Sequence, residues 1–334
     1  MEKENNFQTP EAISAFINHF QKSRIILTAF ELDIFTIIGN AGMSSSEVAK
    51  AVGSDQRATD RLLNAVCVTG FLSKKDGKFY NTPESLKFFN KESPDYMAGL
   101  GHSISLWDTW TFLTKSVMKG CAAHQRPENI NDRESKWLEH FIEAMHYRAS
   151  RQAPQIISKI NLENVRRVLD LGGGSGAFAF AFVKAGKDIT ATIFDLPNVT
   201  PLTMKYILQE GMQDKVNTAD GDYNTDTLPK GYDIIFLSAV VHINSFEGNV
   251  NLIRKCAASL NPGGQVIIQD QVMNDDRISP PNGALFALNM LVGTKEGDTY
   301  TENEMCQWFE KAGLKFESRI ETFMGNCLIT GRKK

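Results

Sequence analysis

The chain has 334 residues, 42% hydrophobic and 22% charged, with 36 Lys and Arg against 39 Asp and Glu. That length and balance suit a folded protein of two domains and exclude a disordered or fibrous chain, or one held to nucleic acid by net charge. Five scattered cysteines, Cys67, Cys121, Cys256, Cys306 and Cys327, are odd in number and unpaired by spacing. They point to a reducing compartment and no zinc site. With the polar start Met1-Glu2-Lys3-Glu4 and no long apolar run, the expectation is a cytoplasmic protein without a membrane partner.

Ile13, Phe16, Ile17 and Phe20 recur at helical spacing, continued by Ile25, Ala29 and Leu32. So much apolar surface needs a cover, either the protein's own core or a second copy. Ser44-x-x-Glu47 is a capping box, and Gly53 ends the helix that it opens. Ser54 is expected to cap the next helix, with Leu62, Leu63, Val66 and Cys67 inward and Gly70 as its stop. Phe71-Leu72-Ser73 and Phe79-Tyr80-Asn81 flank Asp76-Gly77, the signature of a hairpin turn. Helices followed by a hairpin make a winged helix. Residues 1–95 carry 11 Lys and Arg against 12 Asp and Glu, and Asp55 to Thr69 offers only Arg57 and Arg61 as cations. That is a poor footprint for DNA, so dimerisation is the favoured role of residues 1–95.

From about Pro94 to Pro154 the chain reads as helical and aromatic, with Trp107, Trp110, Phe112, Trp137, Phe141 and Tyr147. Trp137 is read as core. Phe141 and Met145, an i, i+4 pair, form one wall of a flat apolar site. His140 and His146 do not share a helix face and are rejected as paired metal ligands. The second domain is taken as 96–334, with 96–160 a helical, substrate-lining segment and 161–334 the core.

From Arg166 strands expected at 166–171, 189–194, 216–219, 232–238 and 265–271 alternate with helices near 176–186, 200–211, 247–260, 281–292 and 302–312. This pattern predicts an α/β, Rossmann-like, doubly wound and mostly parallel sheet. Phe316 to Glu321 and Asn326 to Thr330 close the chain as a hairpin that puts a reversed strand at the sheet edge. That ending is expected of S-adenosylmethionine (SAM)-dependent methyltransferases.

The centre of the chain is Val168-Leu169-Asp170-Leu171-Gly172-Gly173-Gly174-Ser175-Gly176. A strand, a glycine-rich turn and a helix let a ligand press against backbone N–H groups at a helix N-terminus. Gly172-x-Gly174-x-x-Ala177 also fits the dinucleotide fingerprint, with Asp195 placed for a ribose 23 residues after Gly172. Asp170, however, would repel a phosphate and suit a ligand carrying an ammonium and a sulfonium. Asp222, in Gly221-Asp222-Tyr223, suits an adenine amino group. Three acids after three successive strands favour SAM over NAD.

Ligands of such sheets lie beyond the carboxyl ends of the strands, where His242 and Asp270 stand on neighbouring strands. A phenol near pKa ~10 needs a base at neutral pH, and a histidine near ~6.5 serves. Asp270 would orient the imidazole as the acid of a triad does.

These words resemble the plant-type small-molecule O-methyltransferases, the caffeate and hydroxyindole enzymes and their bacterial relatives, from about Pro10 to Arg332. The residues that carry the likeness are the glycine-rich turn, Phe194-Asp195-Leu196-Pro197, Gly221-Asp222-Tyr223, Leu237-Ser238-x-x-x-His242, Leu288-Asn289-Met290-Leu291 and Phe141-x-x-x-Met145. The resemblance implies a winged-helix dimerisation domain, a homodimer whose partner lends residues to the pocket, and metal-independent methyl transfer from SAM to a hydroxyl. It implies that Gly172, Gly173 and Gly174 hold the methionine part, Asp195 beside Leu196 the ribose, and Asp222, Tyr223 and the Ser238 backbone the adenine. His242 would be the base, Asp270 its flanking acid, and Phe141, Met145 and Asn289 the acceptor side, to which the aromatic content of the preceding helices adds Trp110. Two departures stand out: the family's Asp-Trp after the histidine is Ile243-Asn244 here, and a second flanking acid aligns near Thr299, close to Glu296 and Asp298. A C-methyltransferase, an NAD-binding oxidoreductase and a winged-helix regulator are the alternative readings.

Overall fold

The computed structural model describes residues 8–123, 135–323 and 325–334, with only the backbone of residues 135–137 and 140. The side chains of Trp137 and His140 therefore lie outside the described residues. The chain forms two compact units, Met1–Ile104 and Ser105–Lys334.

The first unit runs α1 (Pro10–Ile17), α2 (Phe20–Glu31), α3 (Ile34–Ile38), β1 (Met43–Ser44), α4 (Ser45–Val52), α5 (Gln56–Val68), β2 (Leu72–Lys75), β3 (Lys78–Asn81) and α6 (Pro83–Phe88). The capping box forms: Ser44 Oγ accepts from Glu47 N–H while the Glu47 carboxylate accepts from Ser44 N–H. Asp76 and Gly77 both adopt positive φ, the geometry that a two-residue hairpin requires. The cap of α5 is a correction. Asp55, not Ser54, accepts from Ala58 N–H at 2.8 Å, and Ser54 bonds the Thr59 hydroxyl. Asp55 reaches the orphan N–H of the first turn from one residue nearer. Leu63 and Val66 of α5 pack with Phe30, Phe35, Val48 and Phe79. The first helix and the start of the second stay outside this core: Ile13, Phe16, Ile17 and Phe20 are 44% to 62% exposed.

The second unit holds α7 (Leu100–Trp110, which begins in the first), α8 (Leu113–Lys119), α9 (Ser135–Ile157), β4 (Arg167–Leu171), α10 (Ala177–Ala185), β5 (Thr190–Asp195), α11 (Thr200–Gln209), β6 (Val216–Asp220), β7 (Tyr232–Ser238), α12 (Phe246–Ser259), β8 (Leu260–Met273), α13 (Pro281–Gly293), β9 (Tyr300–Thr301), α14 (Glu302–Lys311), β10 (Leu314–Glu321) and β11 (Asn326–Lys333). The sheet order is β10-β11-β8-β7-β4-β5-β6, parallel from β8 to β6, with β11 antiparallel to β8 and β10 antiparallel to β11. This is the doubly wound sheet with a reversed strand that the sequence pattern predicts.

Both faces of the sheet are covered. Ile234 and Phe236 of β7 point into a core with Phe178, Phe182 and Ile267; Ile235 and Leu237 point into the opposite one with Ile253, Trp308 and Phe309. Successive side chains alternate faces, so a strand buried on both sides must be apolar throughout. The chain runs outward from β4 to β6 and then returns to place β7 on β4's other side, which opens a crevice at the strand ends between β4 and β7.

Candidate active site

The ends of β4, β5, β6 and β7, with the neighbouring β8, supply the residues around that crevice. After β4 the glycine-rich turn folds back so that Gly172 N–H donates to Phe194 O at 2.8 Å. A Cβ on Gly173 would lie 2.7 Å from the Asp170 carboxyl carbon, and Gly174 sits at φ +55. Neither position accepts a side chain without displacing the turn. Asp170 is 1% exposed and accepts from Ala179 N–H in the first turn of α10 at 3.1 Å. Its carboxylate therefore braces the turn from behind.

Burial pushes Asp170 up to about 7, with the Asp195 charge adding to the rise and the Ala179 N–H opposing it. The folded chain thus keeps a proton that the unfolded chain sheds above its ordinary 3.8, so this group's contribution to stability is lost as pH rises through about 7. Asp170→Asn keeps the acceptor for Ala179 and cannot ionise. Its Tm relative to the parent is expected to rise between about pH 4 and pH 7 and to level off above, bounded by about 4 kcal/mol. A melting-point difference that ignores pH would contradict the shift.

Asp195 ends β5. Its Oδ2 accepts from Gly174 N–H and its Oδ1 from Leu196 N–H, both at 2.8 Å. Burial raises its pKa and the two N–H groups pull it back. The Thr203 hydroxyl holds Gly174 O at 2.6 Å. Beyond β6, Asp222 accepts from Asn224 N–H, and its own N–H donates to Asp226. Burial, with the Asp195 and Asp222 charges, pushes Tyr223 up to about 12. Lys255 of α12 donates to the carbonyls of Tyr223, Asn224 and Asp226 at 2.8 to 3.0 Å and so fixes this loop. Ser238 ends β7 with its hydroxyl on Gln269 Oε1 at 2.6 Å.

His242 lies in a 3-10 turn, Val241–Ile243, entered through Ala239 at φ +58. Its Nδ1 stands 2.8 and 2.9 Å from the two Asp270 oxygens, with the side chains 12% and 3% exposed. The Phe286 ring meets the imidazole edge to face at 4.9 Å. Asp298 N–H donates to His242 O, but the Asp298 carboxylate pairs with Arg277. Thr299 is buried with its hydroxyl on Gly283 O, and Glu296 is exposed. Asp270 is therefore the one carboxylate on the His242 ring among the described residues. On α13, Asn289 Oδ1 accepts from the Trp110 indole N–H.

The structure thus brings His242 to Asp270 and Trp110 to Asn289. It seats Phe141 with Leu138, Ile142, Val199 and Leu196, on the side of α9 that faces α11, and leaves Met145 partly buried on the same helix. Three residues escaped the sequence reading. His146 bonds Ser175 Oγ in the glycine-rich turn at 2.9 Å and stacks on Tyr206, and burial lowers its pKa. Phe286 and Lys255 are the others. Phe286 alone had a signal, its i, i+3 spacing to Asn289.

Residues 120–315 match the O-methyltransferase domain family, and residues 14–91 match the O-methyltransferase dimerisation domain. A 3-hydroxy-5-methyl-1-naphthoate 3-O-methyltransferase of Streptomyces sahachiroi is 28% identical over 97% of this chain and 95% of its own. An L-tyrosine C(3)-methyltransferase of Streptomyces lavendulae is 27% identical over 80% of this chain and 76% of its own. The solved structure of human N-acetylserotonin methyltransferase with SAM superposes with a TM-score of 0.84 at 23% identity, covering 99% of each chain.

Proposed function

Because the chain belongs to the O-methyltransferase family, whose members depend on SAM, we propose that it methylates a hydroxyl of a flat aromatic small molecule with His242 as general base. The observation that carries this reading is the His242–Asp270 pair. With Nδ1–H committed to the carboxylate, the neutral ring presents Nε2 as a proton acceptor. The acceptor hydroxyl would give its proton to Nε2 as its oxygen attacks, and Asp270 would stabilise the imidazolium until solvent takes the proton. SAM, when bound, supplies a methyl group already activated on a sulfonium.

The donor set at the strand ends fits SAM. Among the described residues the hydrogen-bond partners of Asp195 are both backbone N–H groups and no cation pairs with it. That suits a ribose diol and an adenine amine and repels a pyrophosphate. Gly172, Gly173 and Gly174 would hold the methionine part, with Asp170 acting through the turn. Asp195 and Leu196 would take the ribose; Asp222, Tyr223 and the Ser238 backbone would take the adenine. Phe141, Met145, Trp110 and Asn289 would line the acceptor. The relative that carries a tyrosine C-methyltransferase name supports a second reading, methylation of a phenol ring carbon through the same base. A screen of naphthols and phenols with SAM, reading S-adenosylhomocysteine release and the product's carbon spectrum, decides between them. No turnover with any hydroxyaryl compound would remove the O-methylation reading.

We place the working form as a cytoplasmic homodimer acting on neither nucleic acid nor membrane. The dimerisation match, the exposed Ile13, Phe16, Ile17 and Phe20 and the five free cysteines support this. Among the described residues no helix is long and apolar enough to cross a membrane. Sedimentation equilibrium at micromolar concentration is expected to give twice the chain mass, and Phe16→Glu is expected to shift the population to single chains. Single chains in the parent would refute the dimer.

A further inference from the structure

The geometry at α13 points to a narrower class of acceptor: we propose that it carries a hydrogen-bond-accepting oxygen, a carbonyl or quinone oxygen, within one ring of the reacting hydroxyl, and that Trp110 is the positioning residue that selects for it. This rests on the reading of His242 as the base.

The Asn289 amide has two faces of opposite polarity, an oxygen that accepts and an NH₂ that donates. The Trp110 indole N–H can only donate, and it donates to Asn289 Oδ1. The oxygen is therefore committed, and the amide cannot turn over without leaving two donors face to face. Its Nδ2 has no protein acceptor among the described residues and is not among their sealed polar atoms, so it opens on accessible space. That space belongs to the site. Asn289 and Phe286 are three residues apart on α13 and share a face, and Phe286 lies against the His242 imidazole at 4.9 Å. On this proposal an aromatic plate with its hydroxyl at His242 Nε2 extends past Phe286 toward that NH₂ donor, whose side chain starts about 5–6 Å from that of Phe286 along the helix face. A carbonyl oxygen satisfies that donor; a bare C–H edge leaves it dry and unpaired, which disfavours the plain ring by about 10- to 100-fold.

The selector is the indole N–H and not the bulk of the ring. In Trp110→Phe the packing stays close, but Asn289 becomes free to present either its oxygen or its nitrogen. The discrimination should then fade even if turnover of the plain acceptor survives.

The test compares kcat/KM for a naphthol and for the same naphthol bearing a ring carbonyl, in the parent and in Trp110→Phe. Taking the ratio of ratios cancels the intrinsic acidity of the two phenols. The carbonyl preference is expected to be at least about 10-fold greater in the parent. Asn289→Leu, which removes the donor directly, should abolish the preference as well, and it stands in if the tryptophan variant does not fold. An unchanged ratio in both variants would overturn the proposal, since Trp110 would then merely pack. Turnover of both acceptors with no preference in the parent would overturn it too, leaving the methyltransferase reading intact. Turnover of neither would remove both readings together.

Discussion

His242→Ala is expected to lower kcat by about 10²- to 10⁴-fold, the range that a positioned general base contributes, while leaving the affinity for SAM within a factor of about two. The two effects separate because the imidazole is held by Asp270 and Phe286, and among the described residues it makes no hydrogen bond or ring contact with the glycine-rich turn or Asp195. The activity assay is release of S-adenosylhomocysteine at saturating acceptor, and calorimetry supplies the affinity. Asp270→Asn should fall in the same direction. Asp270 Oδ1 already accepts from Gln271 N–H at 2.8 Å, so an amide there keeps its oxygen on that bond and turns its NH₂ toward the ring. An NH₂ facing Nδ1 reverses the tautomer and places a proton on Nε2, the atom that has to receive one. The deficit of Asp270→Asn should shrink for acceptors with more acidic hydroxyls, which need less help from a base. Full turnover in His242→Ala would sink the base assignment.

Asp195→Ala is expected to weaken SAM binding by about 10- to 100-fold while sparing kcat at saturation. The change removes the acceptor for a ribose diol and strips Gly174 N–H and Leu196 N–H of their partner at once. Asp195→Asn separates the two effects, because one oxygen can still serve a backbone N–H while the second ribose contact is lost. Calorimetry with SAM and S-adenosylhomocysteine reads both variants. An unchanged dissociation constant in Asp195→Ala would move the ribose elsewhere and revive the case for a different nucleotide.

Most of the scaffold was legible because its signals are local. Asp76-Gly77 names its own turn, Ser44-x-x-Glu47 its own cap, and the run from Tyr232 to Ser238 can only be a strand buried on two faces. The strand containing Asp270 was placed at 265–271, yet β8 starts at Leu260. Pro262, Gly263 and Gly264 look like a turn, and they do interrupt the ladder, but β7 pairs with Leu260 before them and again from Gln265 on. Ser54 and Asp55 are both good caps, and only the path of the backbone chose between them. Within the site, the pairing of His242 with Asp270 could be read from their places after neighbouring strands, but other pairs could not. Trp110 and Asn289 are 179 positions apart, and His146 and Ser175 are 29 apart. No periodicity couples residues across such separations; packing does.

The antiparallel strand β11, second from the sheet's edge, bears on when the fold is complete. Cys327 pairs with Asp270, and Asn326 with Gln271, so β11 flanks the backbone that carries the Asp270 carboxylate beside His242. Yet β11 comes after His242, Asp270 and Asn289 in the chain. On the ribosome, a nascent protein would therefore own His242, Asp270 and Asn289 before it owned the backbone ladder beside Asp270. Completion would arrive as one late event, when the returning strand zips home, and a polypeptide released short of it would carry those residues with that ladder missing.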